Sequence, residues 1–168
     1  MPALQFPTWH AGPVPTVRVL EPDDWTVLRD ARLAALTDAP ERFSEAPEDA
    51  ASRDEASWRE SLRLSRWLVV EAERAVVGLA EVWPAGKPDD ADAWIGGWWT
   101  SPAWRRRGVA RRLLAGVDAV CRVEGWLRQG LGVWCENADG RAVFERLGFA
   151  EVGGEQMSQR FPGRCYVQ

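Results

Sequence analysis

Residues 94–112 constrain this chain most. An apolar run, Trp94 to Trp99, leads through Thr100-Ser101-Pro102 into Arg105-Arg106-Arg107-Gly108-Val109-Ala110. Arg111-Arg112-Leu113-Leu114 then opens a segment of helical period. A strand that passes through a tight basic turn into a helix leaves the first N–H groups of that helix without intrahelical partners. It points them outward together with the positive end of the macrodipole. Gly108 adds a position where no Cβ keeps a ligand from the backbone, and arginine forks onto phosphate oxygens. The segment reads either as an anion site or as a solvated basic helix start.

Charge weighs between these readings. The 168 residues carry a net charge of −4, with a pI of about 5.2. Five arginines nonetheless fall between 105 and 112. A local basic patch on an acidic chain points to one anionic ligand held in one place, and argues against a general nucleic-acid surface. Hydrophobic residues make up 46% and charged residues 27%, the composition of one globular domain with room for a core. No apolar run approaches the ~20 residues of a membrane span, and the N-terminus lacks the basic-then-apolar order of a signal peptide. Residues 1–15, with Pro2, Pro7, Pro13 and Pro15, read as a flexible tail ahead of a domain at 16–168.

The candidate nucleophiles and bases are few. His10 is the only histidine and lies in that tail, so Ser-His or Cys-His chemistry has no base. Cys121, Cys135 and Cys165 show no close pair and no metal-like spacing. That set suits a reducing cytoplasm, and no metal is expected. The chain holds 11 tryptophans, read as core or pocket walls.

Periodicity and turn residues predict a strand at 16–20, a helix at 25–36 started by Glu21-Pro22-Asp23-Asp24, and a second helix at 48–64. Strands follow at 67–72 and 75–83 around a turn at Glu73-Arg74. A polar loop over 84–90 leads to a strand at 93–100. Gly96-Gly97 inside that strand suggests a bulge or a close backbone approach. The basic turn opens a helix to Glu124, with Asp118 and Arg122 paired on its outer face and Gly125 as C-cap. A strand at 131–135, a helix at 139–147 and final strands at 149–152 and 164–167 complete the chain.

Residues 137–149 read Asn-Ala-Asp-Gly-Arg-Ala-Val-Phe-Glu-Arg-Leu-Gly-Phe. By themselves they form an N-capped helix stopped by glycine. Together with Arg105-x-x-Gly108-x-Ala110 about 30 residues upstream, they resemble the GNAT acetyltransferase superfamily. That superfamily writes its pyrophosphate turn as Gln/Arg-x-x-Gly-x-Gly/Ala. It follows a later strand with Asn, a short helix bearing Ala and an aromatic, and Gly-Phe; here Asn137, Ala142, Phe144, Gly148 and Phe149 match. The resemblance spans roughly 16–153 and is strongest over 94–149. The segment from Arg32 to Phe43 also looks like the first-helix region of small bacterial members.

The resemblance implies a single α/β domain whose mixed, mostly antiparallel sheet contains a splayed parallel pair, with flanking helices. It implies acetyl-CoA as co-substrate and transfer of its acetyl group to a primary amine by direct attack. A small molecule is favoured as acceptor and a protein N-terminus is possible. No nucleic-acid or membrane partner is implied, and a homodimer stays open. The co-substrate would lie on Arg105, Arg106, Arg107, Gly108, Val109 and Ala110, along the backbone of Trp98, Trp99 and Thr100, and against Asn137 and Phe144.

Phe144 stands where the family often has a tyrosine that protonates the leaving thiolate. It reads as a packing residue, with Cys135 and Tyr166 as conceivable replacement acids. Glu81 is the candidate general base and equally a surface charge; Asp92 is a weaker candidate. Trp83, Trp94 and Trp98 could wall the acceptor pocket. A non-catalytic CoA-binding domain is the alternative.

Overall fold

The structure is a computed structural model that describes residues 14–86 and 91–168. The expected tail up to residue 13, with His10, and loop residues 87–90 lie outside the described residues. The elements run β1 (Thr16–Val19), α1 (Trp25–Asp38), α2 (Pro47–Ala51), α3 (Glu55–Leu64), β2 (Arg66–Ala72), β3 (Ala75–Pro84) and β4 (Ala93–Thr100). They continue α4 (Val109–Glu124), β5 (Gln129–Leu131), β6 (Val133–Trp134), α5 (Ala138–Arg146), β7 (Gln156–Met157) and β8 (Cys165–Val167).

One sheet has the order β1-β2-β3-β4-β5 and a second the order β6-β8-β7. Among the described residues all pairings are antiparallel except β4 with β5. The single α/β domain with a mixed sheet and one parallel pair is therefore the architecture observed.

β2 is apolar on both faces because both are covered. Leu68 and Val70 join the core under α4, with Val109, Leu113, Val117 and Cys121. Trp67 and Val69 join the core under α1 and α3, with Leu28, Leu36, Trp58 and Leu62. The three-to-four spacing of the α4 stripe is what lays that helix flat on the sheet. A small residue sets how close it comes: a Cβ on Gly116 would stand 2.8 Å from Val17 and 2.9 Å from Leu68.

Several boundaries depart from the sequence reading. The helix expected over 48–64 is two helices, because Asp54 caps α3 by accepting the Ser57 N–H at 2.9 Å. A short acid prefers that role to a helix interior. The strand expected at 131–135 is broken at Gly132 into β5 and β6, which belong to different sheets. Residues 149–152 form no strand. Gly148, Gly153 and Gly154 have φ of 99°, 78° and 69° and turn the chain, so β7 forms later, at 156–157. Asp118 does not pair with Arg122 but accepts from Gln129 Nε2 at 2.9 Å.

The reading of the cysteines as a scattered set that suits a reducing cytoplasm is corrected. Cys135 and Cys165 are joined as a disulfide with Cα atoms 5.5 Å apart. They lie 30 residues apart in sequence, and only the antiparallel register of β6 on β8 brings them opposite each other. Cys121 is free and buried among apolar side chains, which pushes its thiol up to about 11.

Candidate active site

β4 and β5 pair only over Ala93–Ile95 and Gln129–Leu131. Beyond Gly132 the chain joins the other sheet, so the Gly96–Thr100 half of β4 has no neighbour on that side. The gap opens a cleft of about 1020 Å³. Its walls are the free half of β4, the turn into α4, β6, α5 and part of the α1–α2 connection. An unpaired strand edge offers N–H and C=O groups to any extended chain containing amides.

The turn at the mouth is shaped by two left-handed residues. Arg106 has φ 61° and Gly108, the N-cap of α4, has φ 80°. A non-glycine residue in that region costs about 1–2 kcal/mol. At Gly108 a Cβ would meet nothing within 4 Å, so the glycine serves its backbone conformation and leaves open space on the cleft side. Gly97, with φ 58°, sits where β4 slips register against β3 between Leu79 and Glu81, the expected bulge.

Trp98, Trp99, Thr100, Arg105, Arg106, Gly108, Val109, Ala110, Asn137 and Phe144 line the cleft. Three of them are tied up within the protein. Arg105 donates from Nε to the Thr100 carbonyl at 3.2 Å and from Nη2 to Asp38. Trp99 Nε1 donates to the same Asp38 oxygen at 3.0 Å. Asn137 caps α5 by accepting the Gly140 N–H at 3.0 Å. Phe144 packs edge-on against Trp98, centroids 5.4 Å apart, and against Phe149 at 5.9 Å. Arg107 is not among the lining residues; its guanidinium lies over the Trp104 ring, 5.3 Å from the centroid.

Glu81 is not among the residues lining the cleft. Trp67 and Gly96 are its cross-strand partners. A Cβ on Gly97 would lie 3.0 Å from the Trp67 ring and 3.5 Å from Glu81 Cβ. Burial pushes the Glu81 carboxyl above the ordinary range; the Ser65 hydroxyl, donating at 2.6 Å, and the charges of Arg32 and Arg53 only partly oppose this. Arg32 binds Glu45 at 3.0 Å, and its guanidinium lies 4.8 Å from the Phe43 centroid and 5.8 Å from that of Trp67. Arg32 Nη1 and Trp67 Nε1 are buried with no hydrogen-bond partner. These donors beside a carboxyl offer positions for ordered water.

The remaining candidates have structural duties. Asp92 accepts the Leu127 and Arg128 N–H groups at 2.9 and 2.7 Å, ahead of β5. Tyr166 donates to Gln156 at 3.1 Å, and Cys135 is in the disulfide, so neither offers a proton to the cleft. Of the three tryptophans expected to wall an acceptor pocket, only Trp98 lines the cleft. Trp83 lies against Gly96 and Trp94 against Gly130.

The sequence reading missed Ala39, Arg42 and Phe43, which bring the α1–α2 connection to the cleft, and Trp104, Arg111 and Trp134. The segment from Arg32 to Phe43 resembles the family's first-helix region, but nothing in its pattern places its end at the cleft.

Among the described residues, Cys135, Cys165 and Glu155 gather ligand atoms within 4.8 Å of one another. Two sulfurs bonded to each other do not make the thiolate pair that a soft metal takes.

The model of the acetyltransferase (GNAT) family matches residues 29–149. The chain is 28% identical over 143 residues to an aminoglycoside N(6')-acetyltransferase type 1 of Stenotrophomonas maltophilia, covering 82% of this chain and 88% of that protein. Among solved structures, the aminoglycoside N-acetyltransferase AAC(6')-Iy in complex with CoA superposes with a TM-score of 0.72 at 18% identity, covering 89% of this chain and 97% of that one. A ribosomal-protein-alanine N-acetyltransferase from Brucella melitensis gives 0.66 at 24% identity, with 90% and 95% covered.

Proposed function

The chain belongs to the acetyltransferase (GNAT) family, and from that premise we propose how its cleft moves an acetyl group from acetyl-CoA to a small primary amine. The observation that carries the reading is the parting of β4 from β6 directly beside the Gly108 turn. It places an open strand edge and a helix N-terminus on one cleft. Residues 16–168 are taken as the catalytic domain.

In this reading the pyrophosphate lies on the N–H groups from Arg106 to Ala110, with Arg106 and Arg111 supplying charge. The pantetheine arm runs along Trp98–Thr100 as an added strand. A backbone N–H of that stretch faces the thioester oxygen and stabilises the charge that develops there. Phe43, Trp98 and Trp134 give the acceptor aromatic walls. The relative from Stenotrophomonas maltophilia is named for an aminoglycoside, which supports a small-molecule acceptor over a protein N-terminus.

The amine must lose its ammonium proton before it attacks. We assign that proton to Glu81, reached through water past Gly97, because the carboxyl does not line the cleft and partnerless donors adjoin it. The new C–N bond forms as the C–S bond breaks, and the nitrogen gives up its second proton to solvent as the amide forms. The thiolate leaves without a protein acid and takes a proton from solvent, which a thiol of pKa about 8.5 allows. Phe144 packs beside the sulfur. Attack is direct, since among the described residues no nucleophile–base pair lines the cleft for an acyl-enzyme. The cytoplasm, where acetyl-CoA is available, is the compartment proposed; the availability of the co-substrate supports it, and the cysteines do not, since Cys135 and Cys165 are paired.

The test is a panel of primary amines with acetyl-CoA, read by release of free thiol. Turnover on small amines is expected. Absence of thiol release on every amine, with acetyl-CoA bound, would overturn the reading in favour of a binding domain.

A further inference from the structure

Asp38 is the last residue of α1, where the ends of the helix carbonyls already carry partial negative charge. An acid is locally mismatched there. Its compensation comes from distant parts of the chain. One oxygen, Oδ2, accepts both Trp99 Nε1, at 3.0 Å, and Arg105 Nη2. Arg105 in turn donates from Nε to the Thr100 carbonyl at 3.2 Å. A single carboxylate thus ties the end of α1 to the free half of β4 and to the first residue of the turn into α4.

The bridge is partly open to solvent: the Asp38 side chain is 21% exposed and that of Arg105 44%, while the Trp99 bond is part-buried. It fixes the entry to the turn one residue before Arg106 takes its left-handed conformation. Strained backbone persists only where its surroundings over-determine it. Asp38 itself is not among the residues lining the cleft.

We propose that Asp38 is a positioning residue for acetyl-CoA: through Arg105 and Trp99 it holds the turn and the β4 edge in their binding geometry without touching the co-substrate. This deepens the proposed function and rests on its reading of the turn. It reassigns Arg105 from phosphate ligand to strut. The positive charges that meet phosphate are then those of Arg106 and Arg111.

The test is a double-mutant cycle of Asp38→Asn and Arg105→Gln, read by calorimetric CoA affinity at two salt concentrations and by steady-state kinetics. Each single variant is expected to weaken CoA roughly tenfold, the worth of a charge-assisted hydrogen bond. The double variant should be no weaker than either single one. KM for acetyl-CoA should rise while kcat at saturation stays within a few-fold. Asp38→Glu should recover part of the affinity. The salt dependence should be unchanged in Arg105→Gln and shallower in Arg106→Gln, because only the second removes a charge that meets phosphate.

Additive losses, or an unaltered affinity in Asp38→Asn, would overturn the proposal. So would a salt dependence lost in Arg105→Gln, which would return Arg105 to the phosphates. If Arg106→Gln and a substitution at Gly108 also leave CoA affinity untouched, it is the placement of the co-substrate that fails instead.

Discussion

The Glu81 carboxyl accepts a hydrogen bond from the Ser65 hydroxyl at 2.6 Å and is not among the residues lining the cleft. If Glu81 takes the ammonium proton through water, Glu81→Gln lowers kcat on the order of 10²–10⁴-fold, the usual range for loss of a sole general base. The substitution keeps the side-chain volume and a hydrogen-bonding oxygen for Ser65. A rate within a factor of a few of the parent would show that another group takes the proton.

The same carboxyl leaves a mark on stability. Its pKa is raised in the folded state by burial, so the native protein binds more protons than the unfolded chain between the ordinary glutamate value and the raised one. Stability therefore falls as pH rises through that window. Glu81→Gln should flatten this part of the stability–pH curve and leave a protein at least as stable as the parent at neutral pH. Denaturant melts at several pH values read this directly; an unchanged slope in the variant would contradict the buried, raised carboxyl.

Arg106 and Arg107 are neighbours in sequence with different surroundings. Arg106 lines the cleft, whereas the Arg107 guanidinium lies over Trp104. Arg106→Gln should weaken CoA binding and make it less sensitive to salt, since exposed ionic contacts are screened. Arg107→Gln should do neither by more than a few-fold. Equal effects of the two would mean that the triple-arginine run acts as one diffuse charge.

Phe144 has its edge on Trp98 and on Phe149 and carries no proton to give. The rate should rise with pH as the amine deprotonates and then stay level, with no falling limb near the phenol value of about 10. Phe144→Tyr should fold normally and leave turnover similar or modestly higher. A falling basic limb in the parent would reveal an acid that the cleft residues do not account for.

What was legible in the sequence was local. The period-two and period-3.6 patterns placed strands at 67–72, 75–83 and 93–100, each within a residue of the observed β2, β3 and β4, and the long helix after the basic turn. The Gly96-Gly97 pair announced the bulge, and Gly108 announced an open backbone at the turn, though not its left-handed φ. Properties set by register or by distant partners were not legible. Cys135 meets Cys165 only because β6 pairs with β8. Arg105 looks like a phosphate ligand in the motif, yet it answers to an acid 67 positions earlier. That Glu81 is buried beside Ser65 rather than exposed depends on the packing of α3 against the sheet. The Pro-containing stretch after Asp38 shows no periodicity, so nothing marked Phe43 as a cleft wall.

The central claim is that the turn at 105–110 holds the co-substrate, and titration calorimetry of CoA into Gly108→Ala tests it most directly. The added methyl meets no protein atom within 4 Å, but it enforces a left-handed conformation that alanine resists, at φ 80°. The fold should therefore lose only about 1 kcal/mol, or about 2–4 °C in Tm. CoA affinity should drop well beyond that, by more than tenfold, because the methyl occupies the space assigned to the pyrophosphate. A folded Gly108→Ala protein that binds CoA as tightly as the parent would contradict the account.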